Sequence, residues 1–589
     1  MALPLARLST PKSAAGHEET LRALGFVNGC SAISSSLKRG ALRLPQLART
    51  PNPSPFICAS AETQTRQYTP AVLTLQEDLP EAARVGRKSF PPDFVFGAAT
   101  AAYQVEGAAN EGGRTPSIWD TFTHKFPNKI GDGSNGDVAA DAYHRYKEDV
   151  QLVKELGMDA YRFSISWSRV LPKGRGKVNE EGVKFYNNLI NELRDNGIEP
   201  YVTLYHWDLP QVLEDEYGGF LSDKVVEDYK NFANLCFSRF GDRVSKWTTF
   251  NEPLMFATAG YGLGMHAPGR CTDGLELGPG IKLNCPAGGD SLKEPYIVAH
   301  NILRCHAEAV HLYREKYKAE QNGEIGITLV SHWFEPIDSH PFNSEAQERC
   351  LQFNLGWFLD PIKFGDYPHS MRSLVRERLP FFTEEETAKL KESFDFVGLN
   401  YYTARYAVDQ VITKDFQPLS YIDDSRAQIR ITDLDGIPIE HAEPGSWINV
   451  HPRGLREMLL YIQRRYDDPA IYITENGVME KDNKEQTLQD ALDDTHRSEY
   501  LTLHLHELKE AVRRGVNVKG YFTWSLLDNF EWQDGYKSRL GLHYIDYYKE
   551  HQEHLKEESE LKLGHSPPHL RRIPKQSTLW FKRFLAKNL

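Results

Sequence analysis

Several features that mark other protein classes are missing from this chain of 589 residues. It contains no run of eighteen apolar residues, the length that a membrane-spanning helix needs. It contains no Cys-x-x-Cys motif and no histidine cluster, so the sequence predicts no metal and no cofactor. Its 69 basic and 81 acidic residues give a net charge of -12, and this balance argues against a nucleic-acid surface.

The chain also has no Asn-x-Ser/Thr sequon with x other than proline, although secreted proteins of this size usually carry some. Residues 1–60 contain seven Lys or Arg, two acids and no continuous apolar core of a secretory signal. This composition resembles an organellar transit peptide, with processing near Cys58 and a linker over residues 61–88. We therefore expect a chloroplast or plastid protein; a disordered tail is the alternative interpretation of the leader.

A repeating order of helix, glycine and strand begins at about residue 142. Residues 142–156 have the apolar spacing of one helix face, Gly157 ends that helix, and Tyr161–Trp167 is predicted as a strand. Repetition of this order indicates βαβ units and a parallel sheet. The fold class is α/β, and we predict a single (β/α)8 TIM barrel over residues 89–589 with long loops at its carboxyl-end mouth. The predicted strands are 94–100, 161–167, 201–207, 247–252, 325–330, 394–402, 471–475 and 518–525.

Two of the predicted strands end in a glutamate. Glu252 is followed by Pro253, which prevents further strand pairing, and Glu475 is followed by an Asn-Gly turn. Because the carboxyl ends of parallel barrel strands meet at one mouth, we expect the two carboxylates to face each other. Two facing carboxylates are what the cleavage of a glycosidic bond requires.

The motifs around these glutamates are Thr-Phe-Asn-Glu-Pro at 249–253 and Ile-Thr-Glu-Asn-Gly at 473–477. In this order and at this separation they resemble those of glycoside hydrolase family 1, and the resemblance extends from Phe90 to the C-terminus. It implies a retaining β-glucosidase that cleaves a small-molecule β-glucoside through a covalent glycosyl-enzyme. Glu475 would be the nucleophile and Glu252 the acid/base. A homo-oligomer is compatible with this interpretation.

The resemblance implies further site residues. The stretch Thr523–Trp532 matches the family pattern throughout, which fixes the register of its two tryptophans. Cys271 and Cys285 bracket a loop that is closed by a disulfide in plant members, with two reduced thiols as the alternative. The implied residues are Gln104, His206, Asn251, Tyr402, Trp524, Glu531 and Trp532 for glucose, Arg162 and Asn400 for support of the nucleophile, and Trp447, Ala259, His266 and Gln533 for the aglycone.

The aglycone is less determined by the sequence. Ala259, His266 and Gln533 are small or polar where relatives often carry aromatic rings, which favours a wide pocket. Such a pocket suits a steroidal glycoside, for example a furostanol saponin 26-O-glucoside. Benzoxazinoid, flavonoid and cyanogenic glucosides are alternatives. The polar loop 409–445 is expected to shape specificity, whereas the insertion 549–572 has no predicted role.

The sequence supports other activities to different degrees. A transglucosidase would use the same two glutamates, and a non-catalytic sugar-binding or storage protein is the alternative from another class. A thioglucosidase is disfavoured because the chain retains Glu252, which those relatives lack. A phospho-β-glucosidase is disfavoured because Glu531 would repel a phosphate near the 6-hydroxyl of the sugar.

Overall fold

The structure is a computed structural model that describes residues 82, 84–278, 280–483, 486–547 and 570–586. The predicted transit peptide, residues 1–60, lies outside the described residues, as do most of the linker 61–88 and most of the insertion 549–572. No described helix combines the length and the apolar character that a membrane crossing requires.

Eight parallel strands close a barrel in which each strand pairs with its neighbours in chain order and the first pairs with the last. The prediction of a (β/α)8 TIM barrel is therefore confirmed. The strands are β1 Val95–Ala99, β2 Ala160–Ser164, β3 Glu199–Tyr205, β4 Lys246–Asn251, β5 Glu324–Val330, β6 Phe396–Asn400, β7 Ile471–Glu475 and β8 Val518–Trp524.

Helices connect the strands and cover the outside of the barrel. The larger ones are α1 Ala142–Leu156, α2 Glu180–Asp195, α3 Lys224–Phe240, α4 Pro253–Tyr261, α5 Glu294–Lys316, α6 Pro341–Leu351, α7 Trp357–Phe364, α8 Pro452–Arg465, α9 Thr495–Arg513 and α10 Gln576–Leu585. Short helices in the loops are Ala102–Val105, Ile118–Lys125, Trp167–Val170, Gln211–Tyr217, Lys318–Gln321, His369–Val375, Glu384–Leu390 and Leu488–Leu492.

Small sheets lie in the loops. Strands Trp333–Pro336, Ala404–Asp409 and Ala427–Arg430 form a three-stranded sheet. Part of the predicted loop 409–445 is therefore ordered, because its strand Ala427–Arg430 pairs with strand Ala404–Asp409. The polar composition of the loop does not indicate this strand. Two-stranded sheets join Glu276–Gly278 to Ile281–Lys282, Glu480–Lys481 to Ser538–Arg539, and His543–Ile545 to Arg572–Pro574.

Local chemistry explains the helix boundaries and the closed barrel interior. Helix α1 ends where Gly157 adopts a φ of 75°, a conformation that costs glycine little. Inside the barrel, Tyr201 packs against Phe522 with ring centroids 4.8 Å apart. A Cβ at Gly97 would lie 2.5 Å from the Phe522 ring, so glycine in β1 makes room for that ring. Burial of one such ring stabilises the fold by about 1.5–3 kcal/mol.

Three barrel strands end two or three residues earlier than the sequence predicts. Strand β2 ends at Ser164, before Trp167, and β6 ends at Asn400, before Tyr402. Strand β3 ends at Tyr205, so His206 follows it in a loop where the next residue, Trp207, has a φ of 75°. Strand pairing stops at the rim because the chain turns there, and the residues just beyond β3 and β6 thereby reach the mouth of the barrel.

Candidate active site

A cavity of about 920 Å³ opens at the carboxyl ends of the barrel strands. Its inner half lies against the strand ends, and its outer half lies among the loops and helix α4. The inner half is lined by His206, Asn251, Glu252, Tyr402, Glu475, Trp524, Glu531 and Trp532. The outer half is lined by Met255, Ala259, Leu263, Met265, His266, Val330, His332, Tyr421, Trp447 and Gln533, among others.

Glu475 is the last residue of β7 and is buried, with two side chains donating to its carboxylate. The Arg162 Nη1 atom lies 2.7 Å from Glu475 Oε1, and the Tyr402 hydroxyl lies 2.7 Å from Glu475 Oε2. Each oxygen thus has a donor, and Arg162 adds a full positive charge. Such an environment stabilises an ionised carboxylate.

Glu252 follows directly after β4 and is also buried, but its surroundings differ. Its carboxylate accepts a hydrogen bond from Asn400 Nδ2 at 2.7 Å, a neutral donor. Its backbone has a φ of 45°, unusual for a residue with a side chain, and Pro253 begins helix α4 immediately afterwards. Backbone strain of this kind costs of order 1–3 kcal/mol and commonly occurs at functional sites.

The two carboxyls differ in charge state because their surroundings differ. Burial and the neighbouring Glu475 charge raise the pKa of Glu252 to about 8. Burial also raises the pKa of Glu475, but the Arg162 charge and the hydrogen bonds from Arg162 and Tyr402 oppose that rise. When the pair holds one proton, the proton therefore resides on Glu252 and the negative charge on Glu475.

Asn251, the last residue of β4, joins the two glutamates through shared partners. Its Oδ1 atom accepts from Arg162 Nη2 at 2.6 Å and from Asn400 Nδ2 at 3.2 Å. Its Nδ2 atom lies 3.0 Å from His206 Nε2. Burial, followed by the Arg162 charge, lowers the pKa of His206 well below its usual value. The neutral imidazole thus accepts at Nε2 and carries its proton on Nδ1.

Buried polar atoms in this region are available to a hydroxylated ligand. The atoms His206 Nδ1 and Gln104 Oε1 have no hydrogen-bond partner among the described residues. Gln104 does not line the cavity itself, but its Nε2 atom donates to Asn529 Oδ1 at 2.8 Å and approaches Glu531 Oε2 at 3.5 Å. Buried polar groups without partners are costly, and sugar hydroxyls would satisfy them.

Two tryptophans form an aromatic wall of the inner half. The rings of Trp524 and Trp532 each lie 5.9 Å from the His206 ring, and Trp532 packs on Trp207 at 4.5 Å. A Cβ at position 477 would lie 2.1 Å from the Trp524 carbonyl oxygen, so Gly477 allows the end of β8 to approach the turn after Glu475. Flat apolar rings of this kind suit the face of a sugar.

Glu531 is held in the loop that follows β8. Burial raises the pKa of Glu531 well above its usual value, and the Asp534 and Glu475 charges raise it further. The backbone N–H of Glu531 donates to the Gly535 carbonyl at 2.7 Å, which closes a tight turn. The carboxyl is thereby presented to the cavity beside Trp532.

The outer half is mainly apolar, with polar groups at its edges. Trp447 forms one wall and lies 5.7 Å from the Tyr402 ring. Ala259 lines the cavity from helix α4, and its methyl group leaves space at that point of the helix. His266 and Gln533 line the cavity and hydrogen-bond to each other through Nε2 and Oε1.

The predicted loop bridge is present beside this half. Cys271 and Cys285 form a disulfide with their Cα atoms 5.2 Å apart. The three other described cysteines, Cys236, Cys305 and Cys350, are reduced and buried. No group of three or more metal-ligating side chains occurs among the described residues.

The structure adds residues that the sequence did not single out. Trp207 is one that a signal could have identified, because it adjoins His206 at a strand end. Of the others, Met255 lies on helix α4, Val330 is the last residue of β5, and the rest come from loops whose approach to the cavity depends on the whole fold. The other added residues are Met255, Leu263, Met265, Val330, His332 and Tyr421 in the outer half, with Lys481, Asp534 and Lys537 near its rim.

Comparison with known proteins agrees with this geometry. Residues 86–588 match the family described as Glycosyl hydrolase family 1. A furostanol glycoside 26-O-beta-glucosidase of Hellenia speciosa is 52% identical over 527 residues, which cover 89% of this chain and 88% of that protein. Beta-glucosidase 12 of Oryza sativa subsp. indica is 53% identical over 505 residues, covering 85% of this chain and 94% of that protein.

A solved structure gives the same result at the level of the fold. The crystal structure of a rice beta-glucosidase superimposes with a TM-score of 0.79 at 46% sequence identity. The match covers 85% of this chain and 100% of the rice chain.

Proposed function

The chain belongs to glycosyl hydrolase family 1 and is a retaining β-glucosidase, and from this premise we propose that Glu475 is its nucleophile and Glu252 its acid/base. The observation that carries this assignment is the asymmetry between the two buried carboxyls. Glu475 has an ion pair with Arg162, whereas Glu252 accepts from the neutral Asn400 amide. Only the first arrangement favours a nucleophile that stays ionised.

In the first step, a β-glucoside lies with its anomeric carbon against Glu475. The carboxylate attacks that carbon while Glu252 transfers its proton to the glycosidic oxygen, which leaves as the aglycone alcohol. The products of this step are a covalent glucosyl ester on Glu475 and an ionised Glu252. Arg162 and Tyr402 hold the attacking carboxylate in place but leave its charge available for bond formation.

In the second step, the ionised Glu252 accepts a proton from a water molecule that attacks the same carbon. The ester bond breaks, β-glucose leaves, and both glutamates return to their starting charge states. Asn251 is the proposed partner of the 2-hydroxyl, because Arg162, Asn400 and His206 fix its amide beside both carboxyls. The remaining hydroxyls are assigned to Gln104, His206 and Glu531, with Trp524 and Trp532 against the sugar ring.

Trapping the glycosyl-enzyme tests the assignment. A 2-deoxy-2-fluoro-β-glucoside with a good leaving group forms the ester quickly and releases it slowly, since fluorine destabilises the oxocarbenium-like transition states. After proteolysis, mass spectrometry is expected to find one fluoroglucosyl group on the peptide that contains Glu475. A label on the peptide that contains Glu252 would contradict the assignment.

The aglycone is proposed to be large and mostly apolar. The outer half of the cavity presents Ala259, Leu263, Met265 and Val330 with Trp447 as a wall. A relative with 52% identity is named a furostanol glycoside 26-O-beta-glucosidase, which supports a steroidal saponin 26-O-glucoside as substrate. We expect the highest kcat/KM in a panel of plant β-glucosides for such a compound. A preference for small aromatic aglycones would contradict this choice.

Plastid localisation is proposed from the composition of the leader. Residues 1–60 are basic, rich in serine and poor in acids, as transit peptides are. A fusion of residues 1–66 with a fluorescent protein is expected to enter plastids in plant cells. Fluorescence that is confined to the secretory pathway or the cytosol would contradict this proposal.

A further inference from the structure

Two segments from opposite ends of the chain meet at the edge of the cavity. The rim segment, residues 127–135, contributes Pro127, Asn128 and Ile130 to the outer cavity wall. The glucose loop, residues 531–537, carries Glu531 and Trp532 in the inner half. About four hundred residues separate them in sequence, so contact between them depends on tertiary structure.

A set of hydrogen bonds joins these segments. The Asp132 Oδ2 atom accepts from the Tyr536 backbone N–H at 2.8 Å. The Gly131 N–H donates to the Gln533 carbonyl at 2.6 Å, and the Lys537 Nζ atom donates to the Gly131 carbonyl at 2.5 Å. The rim segment thus has both donors and acceptors satisfied by the glucose loop.

Tyr536 adds a packed anchor to this set. Its hydroxyl donates to the Asn135 carbonyl at 2.8 Å. Its ring contacts Phe530 with centroids 5.5 Å apart and Tyr547 with centroids 4.2 Å apart. The side chain therefore ties the end of the rim segment to aromatic residues on both sides of the glucose loop.

The glucose loop needs such support because its own backbone is strained. Trp532 has a φ of 53°, and Gly535 has a φ of 64°. A Cβ at position 535 would lie 2.0 Å from Asp132 Oδ1, so the Asp132 side chain packs directly against the Gly535 backbone. A non-glycine residue in this backbone region costs of order 1–3 kcal/mol and persists only when its surroundings fix it.

We propose that Asp132 and Tyr536 are positioning residues that hold the glucose loop in place and thereby set the selectivity of the enzyme for the hydroxymethyl group of glucose. The inference rests on the proposed function, in which Glu531 binds a sugar hydroxyl, and it assigns that contact to the 6-hydroxyl. Neither residue contacts the reacting atoms. Their effect is transmitted through the Glu531 carboxyl, whose hydrogen bonds to the sugar require an accurate position.

The test compares two substrates that differ only at that group. p-Nitrophenyl β-D-xyloside lacks the hydroxymethyl group that p-nitrophenyl β-D-glucoside carries. In the full-length enzyme, Asp132→Ala is expected to lower the glucoside-to-xyloside ratio of kcat/KM by about tenfold, mainly through kcat/KM for the glucoside. Tyr536→Phe keeps the ring and removes one donor, so a fall of about threefold is expected.

The matched control is Asp338→Ala. Asp338 also accepts a backbone N–H, from His340 at 2.8 Å, but it lies before helix α6 and does not line the cavity. This variant is expected to lose a similar turn contact while leaving the substrate ratio unchanged. Thermal unfolding of each variant shows whether the protein is folded, and Tyr536→Phe provides the answer if Asp132→Ala does not fold.

Two results would overturn the inference. In folded variants, an unchanged ratio, including one left by equal losses on both substrates, would show that Asp132 and Tyr536 do not act on the hydroxymethyl group. A wild-type enzyme that hydrolyses neither substrate would instead overturn the proposed function, and the inference with it.

Discussion

The inner and outer halves of the cavity are built on different principles. In the inner half, Arg162, Asn251, Glu252, Asn400 and Glu475 form one buried network with contacts of 2.6–3.2 Å. In the outer half, side chains such as Met265 and Val330 contribute shape, and a hydrogen bond joins His266 and Gln533 in the wall. The inner half fixes the charge and the geometry of the reacting groups, and the outer half fixes the volume that is open to the aglycone.

The difference separates chemistry from substrate choice. A buried charge network costs desolvation energy and tolerates little change, because removal of one partner leaves another charge unpaired. Apolar walls tolerate exchanges of similar volume at a cost usually below about 1.5 kcal/mol. Substitutions in the outer half can therefore change which aglycone the enzyme accepts, while the network around the two glutamates stays the same. We expect substitutions in the two halves to act on different kinetic quantities.

The largest effect is expected when the Glu475 carboxylate is removed from the network. Glu475→Ala should lower kcat for any β-glucoside by about 10⁴-fold or more, because no group remains to form the glycosyl-enzyme. Added azide or formate should restore part of the activity by occupying the vacated position, and the product should have the opposite anomeric configuration. Activity near that of the wild type in this variant, measured with p-nitrophenyl glucoside, would contradict the assignment.

A smaller and more selective effect is expected for the acid/base. Glu252→Ala should lower kcat/KM by about 10²–10⁴-fold for glucosides with poor leaving groups, which need the proton. Dinitrophenyl glucoside needs little protonation, so formation of its glycosyl-enzyme should be affected far less. The comparison uses the same variant with both substrates. Equal losses on both would contradict the role of Glu252 as the acid.

The pH dependence follows from the same carboxyl. Its raised pKa of about 8 means that Glu252 is protonated below that pH and loses its proton as the pH rises through it. The kcat/KM for an alkyl glucoside should therefore fall about tenfold for each pH unit above about 8. A Glu252→Gln variant should lack this alkaline limb, because the amide does not titrate. An unchanged limb in that variant would assign the titration to another group.

The sequence predicted the inner half well because its residues adjoin barrel strands. Asn251, Glu252 and Glu475 are at or directly after the ends of β4 and β7, and a parallel barrel brings all such ends together. The strained backbone of Glu252 could not be predicted, since it arises from the turn between β4 and helix α4. Gln104 is not among the residues that line the cavity, but its Nε2 atom lies 3.5 Å from Glu531 Oε2, and its contact with the sugar stays a prediction.

The outer half was predicted less completely. Ala259, His266, Trp447 and Gln533 were identified by resemblance, but Leu263, Met265 and Tyr421 were not. Tyr421 belongs to the loop 409–445, and no local pattern indicates that this loop folds back over helix α4. Its position depends on contacts such as the Tyr421 N–H to the Ser291 carbonyl at 3.0 Å, between segments far apart in sequence. Tertiary contacts of this kind have no short-range signal.

The smallest expected effect tests whether the outer half fixes volume alone. Ala259→Phe places a ring on the cavity wall formed by helix α4. A large aglycone would lose apolar contact, at roughly 25 cal/mol per Å², and a clash would add about 1–3 kcal/mol. The ratio of kcat/KM for a steroidal 26-O-glucoside to that for p-nitrophenyl glucoside should therefore fall about tenfold. Ala259→Ser, which hardly changes volume, is the matched control.

The pH profile of this variant distinguishes a volume effect from a disturbance of the charge network. Helix α4 begins directly after Glu252, so a shift of the helix would move that carboxyl and change its pKa. If the ring acts only by filling space, the alkaline limb measured with p-nitrophenyl glucoside should lie at the same pH in the variant and in the wild type. A displaced limb, or an equal loss of kcat/KM on both substrates, would show that the two halves are coupled through the helix. A substitution at Ala259 would then affect the reaction itself as well as the choice of substrate.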